Sequence, residues 1–350
     1  MQMKNRALKV AAFGFGMARS MHYTLQGLWL PVIDRAMNGQ SERTFSRLQQ
    51  HLQKAFPKVK KLLQKDAENI AMGIYPPSVL FNESLIENYG RFPLLLIDAV
   101  RAQRQRKSKK NAEFDGEAKS YIENTPDYYQ RNFHFQKNGY LSDDSAELYE
   151  HQVEVLFSGT AQAMRRQLLY PLKQHFNFSK GTGLKILEIG CGTGALSKSL
   201  ALAFPNAKIY CLDLSPHYLK KAQKNLAGLK NVSFVQGLAE NLDFKDGSFD
   251  AVVSCYLFHE LPAQIREQVI REKWRVLKKD GFMGIADSIQ TGDDPELQWA
   301  LNQFPVDFHE PFFKNYVNHP LEKLLVEILN VESVGEIHFL TKVLYTLKKG

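Results

Sequence analysis

The most informative segment of this sequence for its fold is Leu187-Glu188-Ile189-Gly190-Cys191-Gly192-Thr193-Gly194. A β-rich run, 185–189, leads into three glycines at alternating positions, and a segment with helical character, 195–203, follows them. A glycine loop between a strand and a helix allows a tight turn and lets the backbone approach a ligand without a Cβ in the way. The free N–H groups at the start of the helix favour an anionic group. The sequence therefore predicts a ligand site at this loop.

Strands and helices alternate after the loop. We predict strands at 208–212, 232–235, 250–254 and 282–286, a helix from 216 and another at 262–276. Such alternation indicates right-handed βαβ units and a parallel sheet covered by helices on both faces. The last β-rich runs, 331–339 and 342–347, lie so close that only an antiparallel hairpin can join them. The predicted fold class is α/β, a Rossmann-like doubly wound, mostly parallel sheet with an antiparallel last strand.

A helical N-terminal domain is predicted to precede the sheet. Apolar residues recur at helical spacing from Phe45 to Phe56, and Pro57 is expected to end that helix. A second helix should run to about Gly73, with further helices at 78–89 and 93–101 and a linker at 101–120. Two more helices, 144–158 and 160–176, are expected on either side of Gly159. We predict a helical N-terminal domain at 1–120, a linker segment that covers the cofactor at 121–180, and the ligand-binding domain at 181–350.

Composition places the chain among ordinary globular proteins. It has 350 residues, of which 44% are hydrophobic and 23% are charged. Its three cysteines show no CxxC or Cys/His spacing, so we expect neither a structural disulfide nor a metal site. The basic, glycine-rich N-terminus predicts a helix or a frayed arm rather than a targeting peptide. No stretch has the length of uncharged apolar residues that a transmembrane helix needs. The expected location is the cytoplasm.

Charge is distributed unevenly along the chain. Residues 1–112 hold 19 Lys and Arg against 7 Asp and Glu, whereas the other 238 residues hold 26 against 30. The basic half suits an anionic partner such as nucleic acid, a membrane surface or an acidic protein. A solvated helical surface explains the same pattern and is the favoured interpretation.

The glycine loop alone does not fix the ligand. Gly190-x-Gly192-x-x-Ala195 also satisfies the fingerprint of nicotinamide-dinucleotide enzymes, and Asp213 lies near the spacing of about 20 residues expected for their ribose-binding acid. An NAD-dependent oxidoreductase is therefore the competing hypothesis from another reaction class.

The wider sequence resembles the class I S-adenosylmethionine-dependent methyltransferases. An acid two residues before the first glycine, here Glu188, is characteristic of their first motif. Four further blocks match in order and lie at 209–215, 236–242, 248–254 and 275–282. The resemblance covers about 184–287, and the final hairpin is consistent with the reversed last strand of the family.

The resemblance implies S-adenosylmethionine as cofactor, with S-adenosylhomocysteine as product, and a set of cofactor-binding residues. The set comprises Glu188, Gly190, Cys191, Gly192, Gly194, Asp213, Leu214, Leu238, Ala239, Glu240 and Cys255. Asp213 matches the acid that holds the ribose hydroxyls. Leu238 departs from the family, which usually has an acid there for the adenine amino group, so Glu240 or the backbone of Ala239 would have to replace that contact.

Ligands of such sheets bind beyond the carboxyl ends of the strands, so candidate catalytic groups are sought there. His259, after the fourth strand, suits a general base, and Asp287, after the fifth, suits a base or a contact to an acceptor amine. Either side chain also suits a purely structural role in its loop. Tyr128, Tyr140, Tyr256 and His309 are the candidate contacts to the substrate. The aromatic residues around them are as typical of a core as of a binding site.

The predicted activity is methyl transfer to a small-molecule acceptor, by analogy with ubiquinone-pathway and natural-product enzymes. One alternative is an RNA or protein methyltransferase anchored by the basic N-terminal half. The others are the NAD-dependent oxidoreductase and a non-catalytic cofactor-binding protein. The sequence does not identify the acceptor or the methylated atom.

Overall fold

The computed structural model describes residues 2–29, 45–81, 90–97, 100, 114, 116–123, 125–135, 138–308 and 310–349. The chain divides into two compact units. We call the first the helical unit, Met1–Gly73 with Pro77–Met164, and the second the sheet unit, Ile74–Pro76 with Arg165–Gly350. The predicted division at residues 120 and 180 stays a prediction. Within the described residues, no helix combines the length and the apolar character needed to cross a membrane.

The helical unit is built on a pair of long helices. Its helices are α1 (Gln2–Gly27), α2 (Phe45–Ala71), α3 (Gly116–Ile122) and α4 (Asp143–Leu156), and α5 (Ala161–Arg166) crosses the unit boundary. Close packing joins α1 to α2, because a Cβ on Gly16 would lie 3.2 Å from Leu63. The Lys9 ammonium lies 2.7 Å from the Glu68 carboxylate in the same pair. Residues 90–97 are also helical.

The prediction that Pro57 ends a helix is wrong. α2 continues through this residue, which is exposed. A proline inside a helix costs about 3 kcal/mol. Beyond it, Val59, Leu62, Leu63 and Ile70 are buried on one face, and each such side chain contributes about 1.5–3 kcal/mol on burial. Packing of the continuous helix therefore offsets the cost of the proline.

Other helix boundaries near the unit junction also differ. A tight turn from Leu168 N–H to Arg165 carbonyl, at 3.4 Å, divides the predicted helix 160–176 into α5 and α6 (Leu169–His175). Pro77–Phe81 forms a short 3-10 helix where a longer helix, 78–89, was predicted. Residues 82–89 and 101–113, which include most of the predicted linker, lie outside the described residues.

The sheet unit contains a seven-stranded sheet in the order β3-β2-β1-β4-β5-β7-β6. The strands are β1 (Lys185–Ile189), β2 (Lys208–Asp213), β3 (Val232–Gln236), β4 (Phe249–Cys255), β5 (Leu277–Ser288), β6 (Val334–His338) and β7 (Thr341–Leu347). β1 to β5 pair in parallel, and β7 pairs antiparallel with both β5 and β6. The predicted fold class is confirmed.

Helices connect these strands and fill the end of the unit. They are α7 (Ala195–Ala203), α8 (Pro216–Asn225), α9 (Ala263–Val276), α10 (Gln298–Asp307), α11 (Phe313–Val317) and α12 (Leu321–Leu329). Ser215 caps α8 by accepting the Tyr218 N–H at 3.2 Å, and Pro216 occupies its first turn, an arrangement that favours helix initiation. Because β1, β2, β4 and β5 run parallel, their carboxyl ends lie at the same edge of the sheet.

Candidate active site

The glycine loop between β1 and α7 is fastened to the end of β2. The N–H groups of Gly190 and Cys191 both donate to the Leu212 carbonyl, at 2.8 and 2.9 Å. Gly192 has φ +55°, a region that favours glycine. A Cβ built on it would meet only the Tyr218 ring, at 3.9 Å. The loop is thus fixed in place while the space beside Gly192 stays open.

Gly194 has a different role in the same loop. Its φ is +84°, and a Cβ would lie 2.7 Å from Leu226 and 3.3 Å from Ala222 at the end of α8. Glycine is needed here so that the start of α7 can pack against α8.

Asp213 lies at the carboxyl end of β2 and faces the glycine loop. It accepts the Gly192 N–H at 2.7 Å through Oδ2 and the Ser215 N–H at 2.9 Å through Oδ1. Each carboxylate oxygen has two lone pairs, so further donors such as hydroxyls can still bind. Burial raises the pKa of Asp213 to about 6, against the lowering effect of these N–H groups.

Glu188 is buried within β1, where it accepts a hydrogen bond from the Ser197 hydroxyl of α7. The Cys211 thiol donates to the same hydroxyl at 3.1 Å. Burial raises the pKa of the Cys191 thiol well above its usual range. Glu188 therefore links β1 to α7 on the two sides of the glycine loop. Cys191 stays an uncharged thiol.

The loop after β3 is tied to the backbone around Asp213. Gly237 N–H donates to the Asp213 carbonyl at 3.1 Å, and the Gln236 side chain donates to the Leu214 carbonyl at 3.2 Å. The predicted adenine-side residues, Leu238, Ala239 and Glu240, follow directly and are all half-buried. Whether they contact adenine stays a prediction.

Tyr256 turns the chain sharply at the end of β4. It has φ +53°, its N–H donates to the Ala286 carbonyl at 2.8 Å, and its hydroxyl lies 2.6 Å from the Thr341 hydroxyl. The Arg165 guanidinium lies 5.7 Å from the centre of its ring. Burial raises the pKa of Tyr256, so the phenol stays protonated. Cys255, before it, is buried.

His259 and Asp287 form a buried pair between β4 and β5. The His259 Nδ1 atom lies 2.6 Å from Asp287 Oδ1, and the N–H groups of Phe258 and Ser288 donate to the same carboxylate at 2.7 and 2.8 Å. Burial alone would lower the pKa of His259. The charge and hydrogen bond of Asp287, with the charges of Glu260 and Glu310, instead raise this pKa to about 9.

Aromatic side chains surround the His259 ring. The ring centres of Phe304, Phe313 and Tyr316 lie 6.3, 6.0 and 6.1 Å from it. Tyr316 is held in turn by a 2.6 Å hydrogen bond from its hydroxyl to the Ser288 carbonyl. Helices α10 and α11 therefore supply apolar surface to the imidazole. The predicted contact His309 lies outside the described residues.

Glu260 links the two halves of the site. Its charge contributes to raising the pKa of both Asp213 and His259. Its carboxylate lies 3.8 Å from His259 Nε2. Asp213 at the end of β2 and His259 after β4 lie at the same edge of the sheet, because both strands run parallel to β1 on either side of it.

Tyr128 and Tyr140 belong to the helical unit. Tyr140 is buried, stacks on Phe133 at 5.2 Å between ring centres, and bonds through its hydroxyl to His134 Nε2 at 2.8 Å. Tyr128 is half-buried. Tyr140 forms an aromatic cluster with Tyr129, Phe133 and Tyr149, and contact of Tyr128 and Tyr140 with a substrate stays a prediction.

Sequence reasoning missed the buried lysine beneath the site. Lys273 of α9 donates to the Ser254 hydroxyl at 2.7 Å and to the Gly284 carbonyl at 2.9 Å. Burial lowers its pKa to about 7. The sequence does contain a signal that Lys273 is buried, because it lies on the same face of α9 as the apolar residues Val269, Ile270 and Val276. Lys273 cross-links β4 and β5 behind His259 and Asp287.

Comparison with known proteins identifies the kind of domain. A family model described as a methyltransferase domain matches residues 186–281. The malonyl-[acyl-carrier protein] O-methyltransferase of Geobacter sulfurreducens is 37% identical over 29% of this chain and 38% of its own length. The fatty-acid O-methyltransferase of Mycolicibacterium smegmatis is 35% identical over 35% of this chain and 44% of its own. The demethylmenaquinone methyltransferase of Lactobacillus johnsonii is 30% identical over 49% of this chain and 64% of its own.

The sheet unit therefore contains a class I S-adenosylmethionine-dependent methyltransferase domain. The chain spans less than two thirds of the length of each of the three relatives. These similarities favour a methyltransferase over the oxidoreductase alternative.

The residues of the site fit S-adenosylmethionine. The space beside Gly192, which a Cβ would fill, admits a ligand to the glycine loop. The Asp213 carboxylate, with acceptor capacity left over from Gly192 and Ser215, suits two ribose hydroxyls. These two features favour the sulfonium cofactor that the family uses.

Proposed function

We propose that the chain transfers a methyl group from S-adenosylmethionine to a small-molecule acceptor positioned near His259. The cofactor supplies an electrophilic methyl group, and the protein supplies orientation and, where the acceptor must lose a proton, a base. One observation carries the proposal: Asp213 ends β2, the glycine loop follows β1, and the His259–Asp287 pair lies where β4 and β5 end, so these groups lie at the carboxyl ends of adjacent parallel strands. Cofactor residues and a base candidate are therefore close enough to serve one reaction.

The surroundings of His259 support an acceptor with an apolar body. Phe304, Phe313 and Tyr316 offer their rings on that side. Two of the three relatives are named for a fatty acid or for demethylmenaquinone. None of the three is named for a nucleic acid, so the alternative of an RNA substrate gains no support from them.

His259 acts as the general base, with Asp287 as its positioning residue. Because Asp287 binds Nδ1, the tautomer with Nε2 free to accept a proton is favoured. A pKa of about 9 keeps most of the imidazole protonated near neutral pH, so activity limited by this base rises with pH towards 9.

A cytoplasmic location is part of the proposal. The three cysteines are free and buried, which suits a reducing compartment.

Calorimetric titration with S-adenosylhomocysteine, beside NAD, tests the cofactor. Binding of the first alone is expected, and Asp213→Ala should weaken it by about tenfold or more. Glu267→Gln, on the exposed face of α9, is the matched control and should leave binding unchanged. Binding of NAD alone would overturn the proposal.

Transfer of a labelled methyl group to a fatty acid, a quinol, RNA and a carrier protein tests the acceptor class. We expect incorporation into the small apolar acceptors. Incorporation only into RNA or protein would contradict the small-molecule proposal while leaving the cofactor assignment intact. Cofactor binding without transfer to any of the four would favour the non-catalytic alternative.

A further inference from the structure

Helix α1 has two apolar faces, and the structure buries only one of them. The buried face packs inside the helical unit and includes Ala12 and Tyr23. The other face is exposed along its whole length and consists of Met3, Ala7, Val10, Gly14, Ala18, Met21, Leu25 and Leu28. These eight residues recur at intervals of three or four and contain no charged or hydrogen-bonding side chain. We call this face the α1 stripe.

The large side chains of the α1 stripe are well exposed. Met3, Val10, Met21 and Leu25 expose 87%, 65%, 66% and 55% of their surface. A helix that is apolar on both faces is expected to have a partner on both, and an exposed apolar patch of this extent marks an interaction surface.

Two aromatic residues near α1 are also exposed. Trp29, which follows the helix, is 52% exposed. Phe81 is 67% exposed, and its ring centre lies 5.4 Å from that of Phe15 on α1. Tryptophan is a side chain that favours the boundary between water and hydrocarbon.

The helices that carry this surface are strongly cationic. α1 contains four Lys and Arg residues and no acid, and α2 contains six against two acids, so the pair has a net charge of +8. Lys9 is paired with Glu68 and Arg19 with Glu154. Arg6 on α1 and Lys54, Lys60 and Lys61 on α2 are exposed.

We propose that the α1 stripe binds the surface of an anionic lipid bilayer, with α1 lying in the plane of the membrane. Apolar side chains beside Lys and Arg on one helix are the combination that binds such surfaces, by burial of apolar area together with attraction to anionic headgroups. The proposal is independent of the methyltransferase assignment, since it uses only residues of the helical unit.

A second copy of the chain fits this surface less well than a bilayer does. Self-association would bring together two helix pairs that each carry a charge of +8, which is unfavourable. Three of the four residues in the middle of the stripe, Ala7, Gly14 and Ala18, are small and contribute little to the roughly 800 Å² per partner that a stable interface needs. Lipid headgroups instead offer opposite charge.

The test is co-sedimentation of the full chain with vesicles. Vesicles containing equal parts of phosphatidylglycerol and phosphatidylcholine should bind the chain about tenfold or more tightly than vesicles of phosphatidylcholine alone. The double variant Met21→Glu/Leu25→Glu should lose about tenfold or more of this binding. Gln53→Glu/Gln64→Glu is the matched control, because it adds the same charge at exposed positions of α2, and it should bind within about threefold of the wild type.

Circular dichroism shows whether both variants keep the helical content of the parent. Equal binding of the wild type to both kinds of vesicle, or to neither, overturns the proposal. Equal loss in both double variants also overturns it, because charge alone would then explain the binding. A dimer seen by light scattering that only Met21→Glu/Leu25→Glu abolishes would assign the stripe to a second copy.

Discussion

The His259 Nδ1 atom lies 2.6 Å from Asp287 Oδ1, and the two side chains are buried together. Asp287 also accepts the N–H groups of Phe258 and Ser288, so the carboxylate stays fixed while the imidazole changes protonation. Burial disfavours the imidazolium, and the neighbouring carboxylate stabilises it. The proton affinity of His259 therefore depends mainly on Asp287, with smaller contributions from Glu260 and Glu310.

Asp287→Asn should lower the pKa of His259 clearly from about 9, because burial then acts against only the weaker charges of Glu260 and Glu310. The NMR shift of the imidazole Cε1–H against pH measures this directly. Glu310→Gln removes a weaker contribution and serves as the control, with a smaller fall. A pKa that stays near 9 in Asp287→Asn would show that the pair is not the cause of the shift.

The pH dependence of activity follows from the same pair. In the wild type, kcat/KM for an acceptor that must lose a proton should rise with pH up to about 9 and then level off. In Asp287→Asn the rise should move to lower pH, while KM for the cofactor stays the same. A profile that is identical in both proteins would leave His259 with a structural role.

Cofactor binding should weaken on acidification through Asp213. Its pKa of about 6 means that the carboxylate is largely ionised at neutral pH and protonated at about pH 5, where it loses acceptor capacity for hydroxyls. Calorimetric titration with S-adenosylhomocysteine is expected to give about tenfold weaker binding at about pH 5 than at about pH 7.5. Asp213→Asn should bind weakly at both values, and a pH effect that persists in this variant would point to another group.

Lys273 should make the protein more stable at higher pH. Its pKa falls from 10.5 unfolded to about 7 folded, so the unfolded chain binds more protons between these values, and stability falls as the pH is lowered from about 10.5 to about 7. Relative to Lys273→Met, the wild type should gain roughly 2 kcal/mol in free energy of unfolding between about pH 7 and 9. Urea denaturation of both proteins measures the difference. Parallel pH curves would show that Lys273 is not neutralised in the folded state.

Gly194→Ala should destabilise the domain more than Gly292→Ala. Both glycines have positive φ, at +84° and +92°, but a Cβ on Gly194 would meet Leu226 at 2.7 Å whereas one on Gly292 meets nothing within 4 Å. Backbone strain alone costs about 1–2 kcal/mol. The additional loss of free energy of unfolding in Gly194→Ala, measured by chemical denaturation, reports the packing of α7 against α8. Equal losses in the two variants would mean that the loop can shift to accommodate the added Cβ without destabilising the domain.

The sheet was predictable because its strands are short apolar runs between clear turns. β1 was predicted with the bounds observed, and β2 differs by one residue. β5 was predicted at 282–286 but begins at Leu277. Lys278, Lys279 and Asp280 mask this part of the strand in the sequence, and Leu277 pairs with Phe249 across an irregular register.

The site was only partly predictable, for reasons of distance along the chain. The residues of the glycine loop form a local motif, so their positions follow from spacing. The contact between His259 and Asp287 joins residues 28 positions apart, and the sequence showed only that each follows a strand. Lys273 stands on the apolar face of α9, but its partners, on β4 and β5, are set by tertiary packing and do not follow from the sequence. Pro57 was misjudged because burial on α2 outweighed a local preference.

The hydrogen bond between the hydroxyls of Tyr256 and Thr341 spans 85 positions along the chain. During synthesis, at about 5–20 residues per second, the turn at Tyr256 waits several seconds or more for β7 to be made. Until then the left-handed backbone of Tyr256 lacks the contact that helps to hold it. On the ribosome, the residues of the glycine loop are therefore complete well before the region around His259 acquires its final geometry. A nascent chain stalled after Tyr256 but before Thr341 should therefore already have a folded glycine loop, whereas the region around His259 should not yet have its final geometry.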